Sequence, residues 1–123
     1  MSNTNRTKGH NAERLYALKF KELFEDCQTS RYASRMLDDA GVDLANIPLL
    51  VQIKAGLQKG LKHDEVLKNI ETKIPKLYKD LPKVLIHHKQ GTAGKKRDEY
   101  SSMVSMTFDD FFKLLKLAYD NKK

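Results

Sequence analysis

Val42-Asp43-Leu44-Ala45-Asn46-Ile47-Pro48-Leu49-Leu50-Val51-Gln52-Ile53-Lys54-Ala55 sets an acid, an amide and an amine within one short apolar stretch. A tight turn at Ile47-Pro48 would lay Asp43 directly across from Gln52 on an antiparallel neighbour, where opposed residues share a sheet face. Lys54 joins them through the strand period of two. Val42, Leu44, Leu49, Val51 and Ile53 would then line the other face as an apolar set. The spacing predicts a hairpin with three polar groups on one side and a core on the other. A carboxylate and a second oxygen ligand can hold a hard cation such as Mg²⁺, which takes one or two carboxylates and keeps several waters. A lysine beside that cation can orient or deprotonate a metal-bound water.

Outward from the hairpin, the element order reads α-β-β-β-α-β-β-α. Ala12, Leu15, Tyr16, Phe20, Leu23 and Phe24 recur at helical spacing and predict a first helix from about Asn11 to Asp26. Glu13 falls within that apolar stripe. It is either a first-turn acid favoured by the helix dipole and leaning into solvent, or an acid aimed along the core face toward the sheet. Gln28 to Met36 alternates weakly, with the Thr, Tyr and Ser content of a strand, and Asp38, Asp39 and Gly41 mark a turn. Gly56 to Lys62 reads as a loop and the stretch from Asp64 as a helix that Pro75 interrupts. Val84-Leu85-Ile86 is a buried strand ending in His87-His88, whose side chains point to opposite faces and so cannot chelate one ion together. A strand at Tyr100 to Met106 and a closing helix follow. Thr107 is the helix cap, and Phe108, Phe111, Phe112, Leu115, Ala118 and Tyr119 form its apolar stripe.

At 123 residues the chain has room for one domain; residues 1–8 are expected as a flexible tail and 9–120 as the domain. Hydrophobic content of 40% beside 32% charged residues is that of a globular chain. No stretch reaches the roughly 18 apolar residues of a membrane span, and the N-terminus has no apolar signal region. No membrane role and a cytoplasmic location are the expectations, and the single cysteine, Cys27, excludes an internal disulfide. A net charge of +7 favours a polyanionic partner, nucleic acid first. Lysines are spread through the middle third, interleaved with acids, and Lys95-Lys96-Arg97 forms a short cluster. No Gly-rich phosphate loop, nucleophile elbow or zinc-type Cys/His spacing occurs.

With these pieces together, the chain resembles the PD-(D/E)xK nuclease superfamily, and within it small phage-type and Holliday-junction-resolvase-like endonucleases. The resemblance runs from about Lys8 to Leu117. Lys8-Gly9-His10-Asn11-Ala12-Glu13 looks like the opening helix with its early glutamate. Thr29 to Arg35, then Asp39, Gly41, Val42 and Asp43, resemble the first strand and the approach to the motif aspartate. Gln52-Ile53-Lys54 matches the (D/E)xK strand with glutamine in the acidic position. Valine, where the family often has proline, precedes Asp43.

The resemblance implies an α/β fold with a restriction-endonuclease-like core, a mixed central sheet flanked by helices. It implies that Asp43, the Gln52 side chain, the Ile53 carbonyl and Glu13 hold Mg²⁺, or Mn²⁺, and that Lys54 positions or activates the attacking water. Arg31 and Arg35, spaced by the sheet period, and Lys59 and Lys62, in the loop after the motif strand, are the expected DNA-phosphate contacts. DNA is the implied partner, branched DNA the implied substrate and a homodimer the implied assembly, with a phage origin placing the protein in the host cytoplasm. Two further readings compete. The neutral Gln52 could leave a DNA-binding protein that keeps the fold without activity, or the chain could be a basic protein-interaction module.

Overall fold

The computed structural model describes residues 2–56, 60–88 and 102–120, with side chains described from Gly9 onward. Helix α1 spans Ser2–Phe20, so it starts inside the stretch expected as a flexible tail. It also stops six residues before Asp26, in a turn where the Phe24 N–H donates to the Phe20 carbonyl. The remaining elements are β1 Gln28–Thr29, α2 Ser30–Ala33, α3 Arg35–Asp39, β2 Leu44–Ala45 and β3 Leu50–Ala55. After them come α4 His63–Lys73, a 3₁₀ turn at Lys76–Tyr78, β4 Lys83–His88, β5 Met103–Ser105 and α5 Phe108–Asp120. With α2 and α3 set aside, this is the expected order.

The strand expected over Gln28 to Met36 is corrected to two residues of strand and two short helices. Ser34 divides the helices by taking extended angles, and its hydroxyl accepts the Leu37 N–H at 3.3 Å as the cap of α3. A serine that bonds the backbone locally favours such a cap over a strand ladder. The expected β2–β3 hairpin is corrected as well. β2 pairs antiparallel with β1, Thr29 opposite Leu44. Asn46 then turns the chain at φ 66° and its side-chain amide donates to the Asp26 carbonyl at 3.0 Å. That turn comes before Ile47-Pro48, and β2 forms no ladder with β3, although Asp43 just before β2 still bonds the Val51 carbonyl across from Gln52.

β3 pairs instead with β4, in parallel, from Leu50 opposite Lys83 to Ala55 opposite His88. Parallel neighbours need a crossover, and α4 supplies it. β5 adds antiparallel to β4, giving the order β3-β4-β5. The molecule is mixed α/β, a small mixed sheet flanked by helices. On one face Val51, Ile53, Val84 and Ile86 pack with Ala12 and Ala17 of α1, Cys27 and Leu44. On the other, Leu50 packs with Leu37, Ala40, Val42 and Ala45, and with Ile70 and Ile74 around α4. Both faces of β3 are therefore covered, and the face of Gln52 and Lys54 is not the open surface the hairpin reading expected; both residues are half-buried. Among the described residues, no helix is long and apolar enough to cross a membrane.

α5 departs from expectation in a different way. Thr107 caps it as the sequence indicates, its hydroxyl accepting the Asp110 N–H at 3.2 Å. Its apolar stripe, however, stays largely in solvent, with Phe108 at 72% exposure. The buried residue of this helix is Asp110, whose Oδ2 accepts the Lys83 N–H at 3.0 Å and so fastens the helix to the start of β4.

Candidate active site

The chain reaches Asp43 through a helix end that a glycine suits best. Ala40 closes α3, the Gly41 N–H donates to the Asp38 carbonyl and the Val42 N–H to the Leu37 carbonyl. This pair of bonds is a Schellman motif, which needs a left-handed residue after the cap. Gly41 takes it at φ 84°. A Cβ on Gly41 would also lie 3.6 Å from Oε1 of Gln52, so the glycine forms the floor on which that amide rests.

Beyond the turn, Asp43 docks on the edge of β3. Its N–H donates to the Val51 carbonyl at 2.7 Å, and its Oδ2 accepts the Ile53 N–H at 2.6 Å. Asp43 therefore straddles Gln52, bonded to the residues on either side. Within an extended strand, the N–H and C=O of one residue point to the same edge, and successive residues alternate. Leu50 and Gly56 send their N–H groups toward β4 and its flank, so Val51 and Ile53 face the other way. The Ile53 carbonyl is thus on the Asp43 edge, together with the second carboxylate oxygen of Asp43.

Glu13 arrives from α1. It is buried at 8% exposure, so the solvent-leaning alternative is excluded. Arg31, on α2, holds it with Nη2 at 3.3 Å from Oε2 and 3.5 Å from Oε1. Burial still pushes the Glu13 carboxyl above its usual range, against the pull of Arg31, and the negative charge of Asp38 adds to the rise. Asp43 responds more strongly. Burial lifts its carboxyl from the usual 3.8 to about 7; the Ile53 N–H opposes this, Glu13 reinforces it and Lys54 opposes it weakly. At Asp43 the positive charge of Lys54 does not offset burial and the negative charge of Glu13. Such a site favours either a proton or a cation.

The donor chemistry matches a hard cation. The second Asp43 oxygen, Glu13, the Gln52 amide oxygen and the Ile53 carbonyl are all oxygen donors of the kind Mg²⁺ accepts. Among the described residues, no three His, Cys, Asp or Glu side chains converge as a metal cage. A site here would depend on the amide, the backbone carbonyl and waters to complete its shell. Lys54 lies two residues beyond Gln52 and opposite His87 on β4. His87 bonds the Gly56 carbonyl through Nε2 at 2.8 Å, while His88 points to the α1 face and meets the Tyr16 hydroxyl at 2.9 Å.

The expected phosphate contacts separate. Arg31 reaches the site, but as the partner of Glu13. Arg35 is on the outside of α3, paired with Asp39 at 3.9 Å, and does not share a strand face with Arg31. Lys62 precedes α4 and pairs with Glu65 at 3.7 Å in solvent. Lys59 lies outside the described residues, as does the Lys95-Lys96-Arg97 cluster. Sequence reasoning missed a cleft of about 400 Å³ beside the site, lined by His10, Glu13, Arg14, Thr29, Arg31 and Tyr32. One signal was available: His10, Glu13 and Arg14 are spaced i, i+3, i+4, which puts them on one helix face. Compared with known proteins, the chain matches no family model, no characterised protein and no solved structure.

Proposed function

We propose that the protein is a metal-dependent endodeoxyribonuclease of the PD-(D/E)xK type, with a restriction-endonuclease-like core and a glutamine in the second acidic position. The observation that carries this reading is Asp43 bonded to β3 on both sides of Gln52, with the charges of Glu13 and Lys54 near enough to act on its carboxyl. A helix glutamate and a strand lysine both come near enough for their charges to act on a loop aspartate from a third segment, which supports this reading.

Asp43, Gln52, Ile53 and Glu13 would hold Mg²⁺ or Mn²⁺, which lowers the pKa of a bound water and stabilises negative charge on a phosphate. Asp43 is held for this by its two bonds to β3. Lys54 orients the attacking water from the neighbouring strand position, and its charge favours the anionic transition state. Water oxygen adds to phosphorus in line with the leaving oxygen, the P–O bond to that oxygen breaks, the water's proton passes to solvent, and the leaving oxygen takes up a proton from solvent. One site cuts one strand, so the reading includes a homodimer for paired cuts; a monomer on DNA would be a nicking enzyme. Branched DNA, in the cytoplasm of a host cell, is the substrate the resemblance suggests.

A second reading has its own support: Gln52 replaces an acid, and Arg31 already neutralises Glu13. These features suit a DNA-binding protein with a silent site. Supercoiled plasmid and four-way-junction DNA, incubated with Mg²⁺ or Mn²⁺, separate the two. Cleavage that falls at least 100-fold in Lys54→Ala and disappears in Asp43→Ala supports the enzyme. Binding to either DNA with no cleavage under any metal sinks it in favour of the silent site.

A further inference from the structure

The cleft at His10, Glu13 and Arg14 does not end at the ion pair. A second hollow of about 330 Å³ shares Arg14, Thr29 and Tyr32 with it and continues along α1 past Leu18 to Lys21. Together they form a groove between α1 on one side and β1 and α2 on the other. From His10 to Lys21 the helix axis and the turn after it cover roughly 16 Å. Arg14, Lys21 and Arg31 line it, and the one carboxylate present, Glu13, is paired with Arg31. The groove is therefore cationic along its length and ends at a residue of the proposed active site.

Two apolar surfaces sit among these charges without any core to serve. Tyr32 is 83% exposed and Leu18 is 66% exposed. An aromatic ring beside arginine, at the lip of a cationic groove, matches the pattern by which proteins hold single-stranded nucleic acid. There phosphates follow the charges while bases stack on aromatic side chains, each worth about 1–3 kcal/mol. A duplex offers the same phosphates but keeps its bases paired and out of reach of Tyr32.

We propose that this groove binds a single-stranded segment of DNA beside the scissile phosphate, with backbone phosphates on Arg14 and Lys21 and an unpaired base on Tyr32. The assignment rests on the nuclease reading for its destination and names the substrate feature selected: unpaired nucleotides next to the cut. Arg31 has a positioning role at the junction of groove and site, since one guanidinium faces both Glu13 and the incoming backbone.

Binding measured without divalent metal tests this apart from any cleavage. Fluorescence anisotropy of a labelled oligothymidylate and of a matched duplex, in EDTA, would be compared for wild type, Tyr32→Ala, Tyr32→Phe and Arg14→Gln. Wild type is expected to prefer the single strand. Tyr32→Ala should weaken single-strand binding about 5- to 150-fold, while Tyr32→Phe stays near wild type. Arg14→Gln should reduce the slope of log K against log salt by about 0.7. Single-strand binding unchanged in Tyr32→Ala, or a wild-type preference for duplex, overturns the groove assignment, and competition by polyglutamate as strong as by oligothymidylate does the same. Single-strand binding with the expected Tyr32 loss but no cleavage on any DNA would keep the groove and sink the enzyme.

Discussion

Asp43 has two tasks that pull against each other. One oxygen is committed to the Ile53 N–H, which requires only an acceptor, and the other is left for chemistry, which requires charge. Burial resists the charge and holds the carboxyl up to about 7, against 3.8 in an open chain. Between those values the folded protein keeps a proton that the unfolded chain has released, so stability falls as pH rises. The Asp43 contribution is complete below about pH 4 and is lost on passing about pH 7; Glu13 shifts in the same direction. Denaturant midpoints of the metal-free protein should therefore decline from pH 4 to pH 7, and Asp43→Asn should flatten much of that decline. Added Mg²⁺ should raise the midpoint at pH 8 and do little at pH 5, where the ligand is protonated. The sequence carried the identity of this residue and its neighbour Gln52. It did not carry the bond to Ile53, because a side chain replacing a strand partner leaves no periodic trace.

Among the elements, those with long patterns were legible and those made by a single polar residue were not. β4 was readable from Val84-Leu85-Ile86, and α4 from its apolar spacing with Pro75 behind it. α2 and α3 together cover nine positions, too few for a helical period to emerge from a Thr- and Tyr-bearing stretch. α5 was legible as a helix from its stripe, yet what fastens it to the sheet is an acid and not the stripe. Removing that acid should be felt by the sheet. Asp110→Ala leaves the buried Lys83 N–H without its acceptor, a loss of about 1–3 kcal/mol in urea-unfolding free energy. Asp110→Asn keeps a carbonyl oxygen at that position and should recover most of it. Equal losses in both variants would mean that charge, not the bond, holds the helix.

At the scale of the whole molecule, charge and layering were predictable and the register of β3 was not. Part of the excess of +7 lies along the groove beside α1, though the arginine chosen on strand parity, Arg35, is not among the residues lining it. Layering has one more consequence, through Cys27. It is the chain's single cysteine, and it sits at 0% exposure in the core layer under α1. Burial pushes its thiol pKa up, so little thiolate is present and none of it meets a reagent in the closed protein. Cys27 also lines the hollow beside Leu18 and Tyr32, so alkylation requires that wall, α1 and the turn after it, to open. Its rate in native buffer should be single-phase and should converge on the global unfolding rate at high iodoacetamide. Faster labelling than global unfolding would reveal that the wall of the groove opens on its own. The protein thus contains its own clock, set to the movement of the helix that bears Glu13.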